Sequence, residues 1–220
     1  MSGRFSIVMF GPPGAGKGVQ AERLAGDFDL ERIATGDILR EAVEGDTALG
    51  RQAKRHMDAG ALVPDEVIIP IVEERMRAVG GRRGFLFDGF PRTIPQATML
   101  LEVTERLGAP MKKVIYLNAP ADVVVSRLTS RRICRDCGAV YNTVTMPSKV
   151  EGVCDVCGGE TYQRDDDTEA TVLKRLKVYE EETADVIMFY RERGLVVEID
   201  GTLTVDDSYP TIAASVGAAT

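Results

Sequence analysis

Four glycines fall within eight residues at GPPGAGKG, between the apolar run SIVMF and a segment of helical pattern, VQAERLA. This junction constrains the fold more than any other stretch. Gly11-Pro12-Pro13-Gly14-Ala15-Gly16-Lys17 has two glycines five apart followed by lysine, the spacing of a phosphate-binding loop. Glycines let the backbone curl so that successive N–H groups point inward, and no Cβ blocks an approaching anion. The following helix adds the positive end of its dipole, and Lys17 a mobile cation. A strand, this loop and a helix together begin an α/β unit; a purely structural turn is the plainer alternative.

The loop departs from the general pattern at its end. Phosphate loops carry Ser or Thr after the lysine to hold Mg²⁺, whereas this chain has Gly18 and then Val19. A carboxylate elsewhere is then needed, and Asp88, closing the apolar run GFLF, is the candidate, because ligands gather at strand C-termini in parallel sheets. Its plainer reading is a turn residue before Gly89.

Further apolar runs at 84–87, 114–117 and 195–199 alternate with helical patterns at about 65–79, about 95–107 and after Pro120. Strands in alternation with helices predict a parallel sheet covered on both faces. The clearest helix runs over 168–193, with Val172, Leu176, Tyr179, Thr183, Val186 or Ile187, and Tyr190 on one stripe, Asp167 or Thr168 as cap and Gly194 as stop. Two stretches break the alternation: a polar helical one near 34–63 and a glycine-rich, β-like one near 130–167. Both read as insertions into the α/β core. The tail SVGAAT is expected to fray.

All four cysteines lie in the second insertion, as CRDC at 134–137 and CDVC at 154–157. Two C-x-x-C knuckles separated by sixteen residues are the pattern of a four-thiolate zinc site, with Cys134, Cys137, Cys154 and Cys157 as ligands. Four thiolates close the coordination sphere, so the zinc is expected to be structural. Two disulfides are the alternative, disfavoured in a reducing compartment. No apolar stretch is long enough to cross a bilayer and no secretory leader is evident, so a cytoplasmic location is expected. A net charge of −7 argues against a broad nucleic-acid surface, and no membrane partner is expected.

GPPGAGKG, ATGDILR at 34–40 and DGFPRTIPQA at 88–97 together resemble the adenylate kinase family, over essentially the whole chain. The resemblance implies a P-loop NTPase core in residues 1–33, 64–129 and 168–220, an AMP-binding helical segment in 34–63, and the long β-rich zinc lid of bacterial enzymes in 130–167. It implies the reaction ATP + AMP ⇌ 2 ADP with Mg²⁺, in a monomer, with ATP, AMP and ADP as partners. The ATP cradle would be Gly11, Gly14, Ala15, Gly16, Lys17, Gly18 and Val19, with Arg127, Arg131 and Tyr141. AMP would meet Thr35, Gly36, Arg40, Leu62, Val63, Gly89, Arg92 and Gln96, with Arg92 clamping phosphate and Gln96 reading adenine. Arg164 and Arg175 resemble the arginines that close over the transferring group, so that Lys17, Asp88, Arg92, Arg127, Arg131, Arg164 and Arg175 form the expected catalytic set. The family usually has threonine where this chain has Val19.

Such chemistry explains a basic cluster in an acidic chain. Phosphoryl transfer asks for alignment of two anionic groups and for charge dispersal, which arginine forks supply. Asp165 and Asp166 are expected either to pair with these arginines or to begin the long helix. Arg106, Arg193 and the single histidine, His56, are expected to take no part. A nucleotide-binding switch protein and a zinc-ribbon nucleic-acid binder are the alternatives from other classes; within the kinases, a different monophosphate acceptor is the alternative.

Overall fold

The computed structural model describes residues 4–59, 61–79 and 83–217. The last three residues of the tail and Gly60 in the first insertion lie outside the described residues. Along the chain run β1 (Ser6–Phe10), α1 (Lys17–Asp27), β2 (Leu30–Ala34), α2 (Thr35–Glu44), α3 (Ala48–Ala59), α4 (Asp65–Ala78), β3 (Gly84–Asp88), α5 (Ile94–Arg106), β4 (Met111–Asn118) and α6 (Ala121–Thr129). Three short strands follow, β5 (Arg131–Cys134), β6 (Val140–Asn142) and β7 (Thr161–Tyr162), then α7 (Glu169–Val178), α8 (Ala184–Arg191), β8 (Val196–Asp200) and α9 (Val205–Gly217).

Five strands form a parallel sheet in the order β2-β3-β1-β4-β8. Every residue of β1 is buried, because helices cover both faces of the sheet and neither side of the pleat meets water. Its one polar member, Ser6, is satisfied by donating to the Ala109 carbonyl at 2.6 Å. Alternate residues feed two cores: Val8 and Phe10 join Phe85, Phe87, Phe90, Leu100 and Met76 on one face, while Ile7 and Met9 join Leu24, Leu86, Ile115 and Ile212 on the other. Deep burial of this apolar set, at ~25 cal/mol per Å², is the main force holding the sheet and its helices together.

β2 lies at the sheet edge and escaped the sequence reading. Two of its five residues, Glu31 and Arg32, are charged, so it shows no apolar run. The expected single helix over 168–193 is corrected in its middle. Thr168 caps α7 through its hydroxyl, but Tyr179–Thr183 form a π turn before α8 begins, and Gly194 follows the helix end at φ 67°. Val172 and Leu176 consequently enter the second core while Val186, Ile187 and Tyr190 enter the first.

The two stretches that broke the alternation stand outside the large sheet. Residues 35–59 give α2 and α3, packed closely enough that a Cβ on Gly50 would lie 1.9 Å from the Ala42 carbonyl oxygen. The second stretch folds as an antiparallel sheet in the order β6-β5-β7. Among the described residues no helix is long and apolar enough to cross a membrane.

Candidate active site

β1 delivers the chain at its C-terminal end into the glycine loop, and α1 starts at Lys17. Gly16, just before α1, has φ 88°, a left-handed conformation that a side chain would strain. A Cβ on Gly11 would lie 2.4 Å from the Leu117 carbonyl oxygen, so the loop is pressed against β4. The Lys17 amine donates to the carbonyls of Gly11 and Pro12, both at 2.8 Å, and is thereby curled back into the loop. Burial pushes its pKa down from 10.5 to about 7; Asp88 opposes this, while Arg92, Arg175 and Arg131 add to it.

Asp88 ends β3 beside this loop. Its Oδ2 accepts from Arg32 Nη2 at 2.7 Å, and Asp37 Oδ2 lies 3.4 Å from the same nitrogen. Burial works against the charge of Arg32, yet Asp88 and Asp37 together raise its pKa. The loop after β3 then turns at Gly89. Arg92 Nε donates to the Gly89 carbonyl at 2.9 Å, and the Thr35 hydroxyl donates to the same oxygen at 3.1 Å. Gln96, in the first turn of α5, is buried; its Oε1 accepts from the Arg92 backbone N–H at 2.7 Å and its Nε2 donates to Asp65 Oδ1 at 2.5 Å. Asp65 Oδ2 also accepts from Thr93 Oγ1 at 2.9 Å, and Thr93 caps α5, so one carboxylate ties the starts of α4 and α5 together.

A second group of arginines comes from α6, β5 and α7. Asp167, with no exposed side chain, grips Arg131 in a two-pronged pair at 2.8 and 2.7 Å and has Arg175 at 3.6 Å. Arg175 Nη1 also donates to the Asp166 carboxylate at 3.1 Å. Although burial works the other way, Arg175, with Arg40, Arg131 and Arg164 behind it, holds Asp166 below the usual carboxylate range. Asp37 is likewise held low against burial, by a close bond from Arg40 and by Arg32 and Arg164. Arg164 lies 3.9 Å from Asp37, and its buried Nε has no hydrogen-bond partner. Burial and neighbouring arginines lower Arg92 and Arg164 to about 10 each. Positive charge is in excess here, an arrangement that a bound anion relieves.

One cavity of about 1020 Å³ joins these groups. Gly11, Gly14, Ala15, Gly16, Lys17, Gly18 and Val19 line it, together with Thr35, Gly36, Arg40, Leu62, Val63, Asp88, Gly89, Arg92 and Gln96. Arg127, Arg131, Tyr141, Arg164 and Arg175 also reach it. Two members are tied elsewhere as well. Arg127 donates to the carbonyls of Gly201, Thr202 and Leu203, bracing the turn after β8. The Tyr141 hydroxyl accepts from the Asp155 backbone N–H at 2.7 Å and sits 3.3 Å from Cys154 Sγ, so it serves the cysteine cluster too. Arg106 and Arg193 are exposed, and Arg193 stacks on Phe189. Sequence reasoning missed Arg32, Asp37, Asp65 and Asp167, the charged partners of the expected residues. Only Asp37, three residues before Arg40 on one helix, left a local signal.

The sulfurs of Cys134, Cys137, Cys154 and Cys157 all lie within 4.8 Å of one another, and the four thiols are unbridged. The Cys134–Cys157 and Cys137–Cys154 separations are 3.4 and 3.6 Å. Four thiolates about 2.3 Å from one zinc ion would stand about 3.8 Å apart, so the cluster fits that metal. The two knuckles are built alike: Gly138 N–H bonds the Cys134 carbonyl at 3.1 Å, and Gly158 N–H the Cys154 carbonyl at 2.9 Å.

The family described as Adenylate kinase matches residues 9–195. The chain is 48% identical over 206 residues to an adenylate kinase of Carboxydothermus hydrogenoformans, covering 94% of this chain and 96% of that one. It is 47% identical to an adenylate kinase of Caldicellulosiruptor bescii, covering 96% and 98% of the two chains, and 47% identical to one of Archaeoglobus fulgidus, covering 95% and 96%. Phosphate loop, paired arginines, cysteine cluster and near full-length similarity agree: the chain belongs to the adenylate kinase family.

Proposed function

We propose that this chain catalyses ATP + AMP ⇌ 2 ADP. The observation that carries the reading is a single cavity lined by two unlike groups of residues. One is the glycine loop with Lys17; the other is Arg92, Gln96, Leu62 and Val63; Arg131, Arg164 and Arg175 line the same cavity. A hydrolase needs one phosphate site, whereas this arrangement suits two phosphorylated ligands meeting end to end.

The chain's own residues bind and align. Backbone N–H groups of the loop and the Lys17 amine take the phosphates of ATP. Arg40 and Arg92 take the AMP phosphate, and the buried Gln96 amide meets its base. The AMP phosphate is already an anionic nucleophile, so the work is in-line positioning and dispersal of charge over the transferring group. Arg131 and Arg175, pre-aimed by Asp167 and Asp166, supply that dispersal with Arg164. Mg²⁺ bound with ATP neutralises phosphate charge, and Asp88 is the residue that would hold it. The segment 130–167 acts as a lid that excludes water, the competing acceptor, and zinc on the four cysteines keeps it rigid. Residues 34–63 form the AMP-binding segment, and 1–33, 64–129 and 168–220 the core. The protein works as a cytoplasmic monomer on free nucleotides, without nucleic acid or membrane.

The test is phosphoryl transfer from Mg-ATP to AMP, GMP, CMP and UMP in parallel, with a control lacking acceptor. ADP formation that requires AMP and is weak with the others is expected. Preference for another monophosphate overturns the substrate. Hydrolysis independent of any acceptor overturns the kinase reading.

A further inference from the structure

The carboxylate facing the phosphate loop already carries a cation of the protein's own. Arg32 rises from the edge strand β2, two residues before Ala34, the register partner of Asp88 on β3 (Arg32 opposite Leu86, Ala34 opposite Asp88). Its Nη2 donates to Asp88 Oδ2 at 2.7 Å, while Asp37 Oδ2 is a longer 3.4 Å away. Its Nε is buried without a hydrogen-bond partner, so the guanidinium is held mainly through one corner of its fork. A Cβ on Gly18 would lie 3.5 Å from both Arg32 Nη2 and Asp88 Oδ2. The ion pair therefore occupies the space over the loop position where phosphate loops in general carry their Mg²⁺-holding hydroxyl. Neither Gly18 nor Val19 brings a hydroxyl, and Arg32, Asp88 and Gly18 all line the cavity.

We propose that Arg32 is an internal counter-ion of Asp88 that sets how strongly the nucleotide-bound protein takes up its divalent cation. The inference rests on the reading that the cavity binds a Mg-nucleotide. A dication and a guanidinium repel each other within a few ångströms, and both seek the same carboxylate. The incoming ion must displace Arg32 from Asp88, so part of its binding free energy is spent on breaking a charge-assisted hydrogen bond. Neutralising Arg32 removes that competition, whereas lysine at the same position retains it.

The experiment uses the full chain saturated with a non-hydrolysable ATP analogue. Mn²⁺ is titrated in, and its free fraction is read by electron paramagnetic resonance; Mg²⁺ competition gives the second affinity. Arg32→Gln is expected to tighten binding of both ions on the order of tenfold, with Arg32→Lys near the parent value. Arg32→Met serves as a second neutral variant should Arg32→Gln fail to fold, as judged by circular dichroism. Unchanged or weaker ion binding in the neutral variants overturns the proposal, the weaker result meaning that Arg32 orients Asp88 for the ion. Failure of the parent protein to bind the analogue at all overturns the reading of the cavity instead.

Discussion

Asp167 offers the sharpest test of how the arginines are held. Replacing it with alanine strands Arg131, which makes a two-pronged pair with it at 2.8 and 2.7 Å, and takes from Arg175 the second of its two carboxylates, 3.6 Å away, leaving it Asp166 at 3.1 Å. Breaking a buried ion pair from one side costs ~3–5 kcal/mol. Arg131 and Arg175 keep 20% and 21% of their side-chain surface exposed, so both guanidiniums recover some water, and Arg175 retains Asp166. The cost therefore falls at or just below the lower end of that range, ~2–3 kcal/mol, and in a chain of this size it lowers the melting temperature by roughly 5–10 °C. Catalysis should suffer separately, since a misaimed arginine is a misplaced charge: kcat should fall on the order of 10- to 100-fold. Asp167→Asn retains the shape and one acceptor oxygen, and should fall between parent and alanine on both measures. Thermal melts by circular dichroism and a coupled ADP-formation assay read the two effects. A melting temperature within about 1 °C of the parent, together with unchanged kcat, would refute the argument that this carboxylate positions both arginines.

Four further outcomes are expected. Lys17 has its folded-state pKa lowered from 10.5 to about 7, so between those values the unfolded chain binds a proton that the folded chain lacks, and stability should rise with pH across that window. Nucleotide phosphates restore the ammonium form, so ATP binding at about pH 8 should take up a proton, seen by calorimetry in buffers of different ionisation enthalpy and lost in Lys17→Arg. Asp65→Ala frees the Gln96 amide and should raise KM for AMP roughly five- to tenfold while leaving KM for ATP unchanged, with Asp65→Asn near the parent. Atomic absorption should find one zinc per chain, and its removal by a mercurial with chelator should lower the melting temperature and expose 130–167 to protease; a metal-free protein of unchanged stability would count against a structural role.

The parts of the molecule that sequence made legible are those whose constraint is local. The glycine loop joins β1 to α1 within a few residues, and the two knuckles bring four sulfurs together through short repeated turns. The strand at 84–88 announced itself because burial on both faces demands a continuous apolar run, and those at 111–118 and 196–200 through the shorter apolar runs Val114–Leu117 and Leu195–Val197. β2 stayed hidden because its charges, Glu31 and Arg32, fall at its centre and leave no two of its apolar residues adjacent before Ile33, while they go to charge pairs with Arg75 and Asp88. Asp65 and Asp167 were illegible as site residues because their partners stand 31 and 36 positions away, at Gln96 and Arg131, and only the fold brings them together. The π turn was invisible because the apolar stripe through 172, 176, 179, 183 and 186 keeps ordinary helical spacing across it.

That π turn makes chain length itself a structural variable. One surplus residue in a helix shifts the angular phase of everything after it by about 100°. The stripe that looks continuous in one dimension is therefore cut into two sectors, with Val172 and Leu176 facing one core and Val186, Ile187 and Tyr190 facing the other. Deleting a single residue among 180–182 would restore an unbroken helix and swing the second sector round towards water. In this stretch the count of residues matters more than their identity, and a turn that carries the exposed Glu180 and Glu181 becomes as intolerant of insertion or deletion as a buried strand.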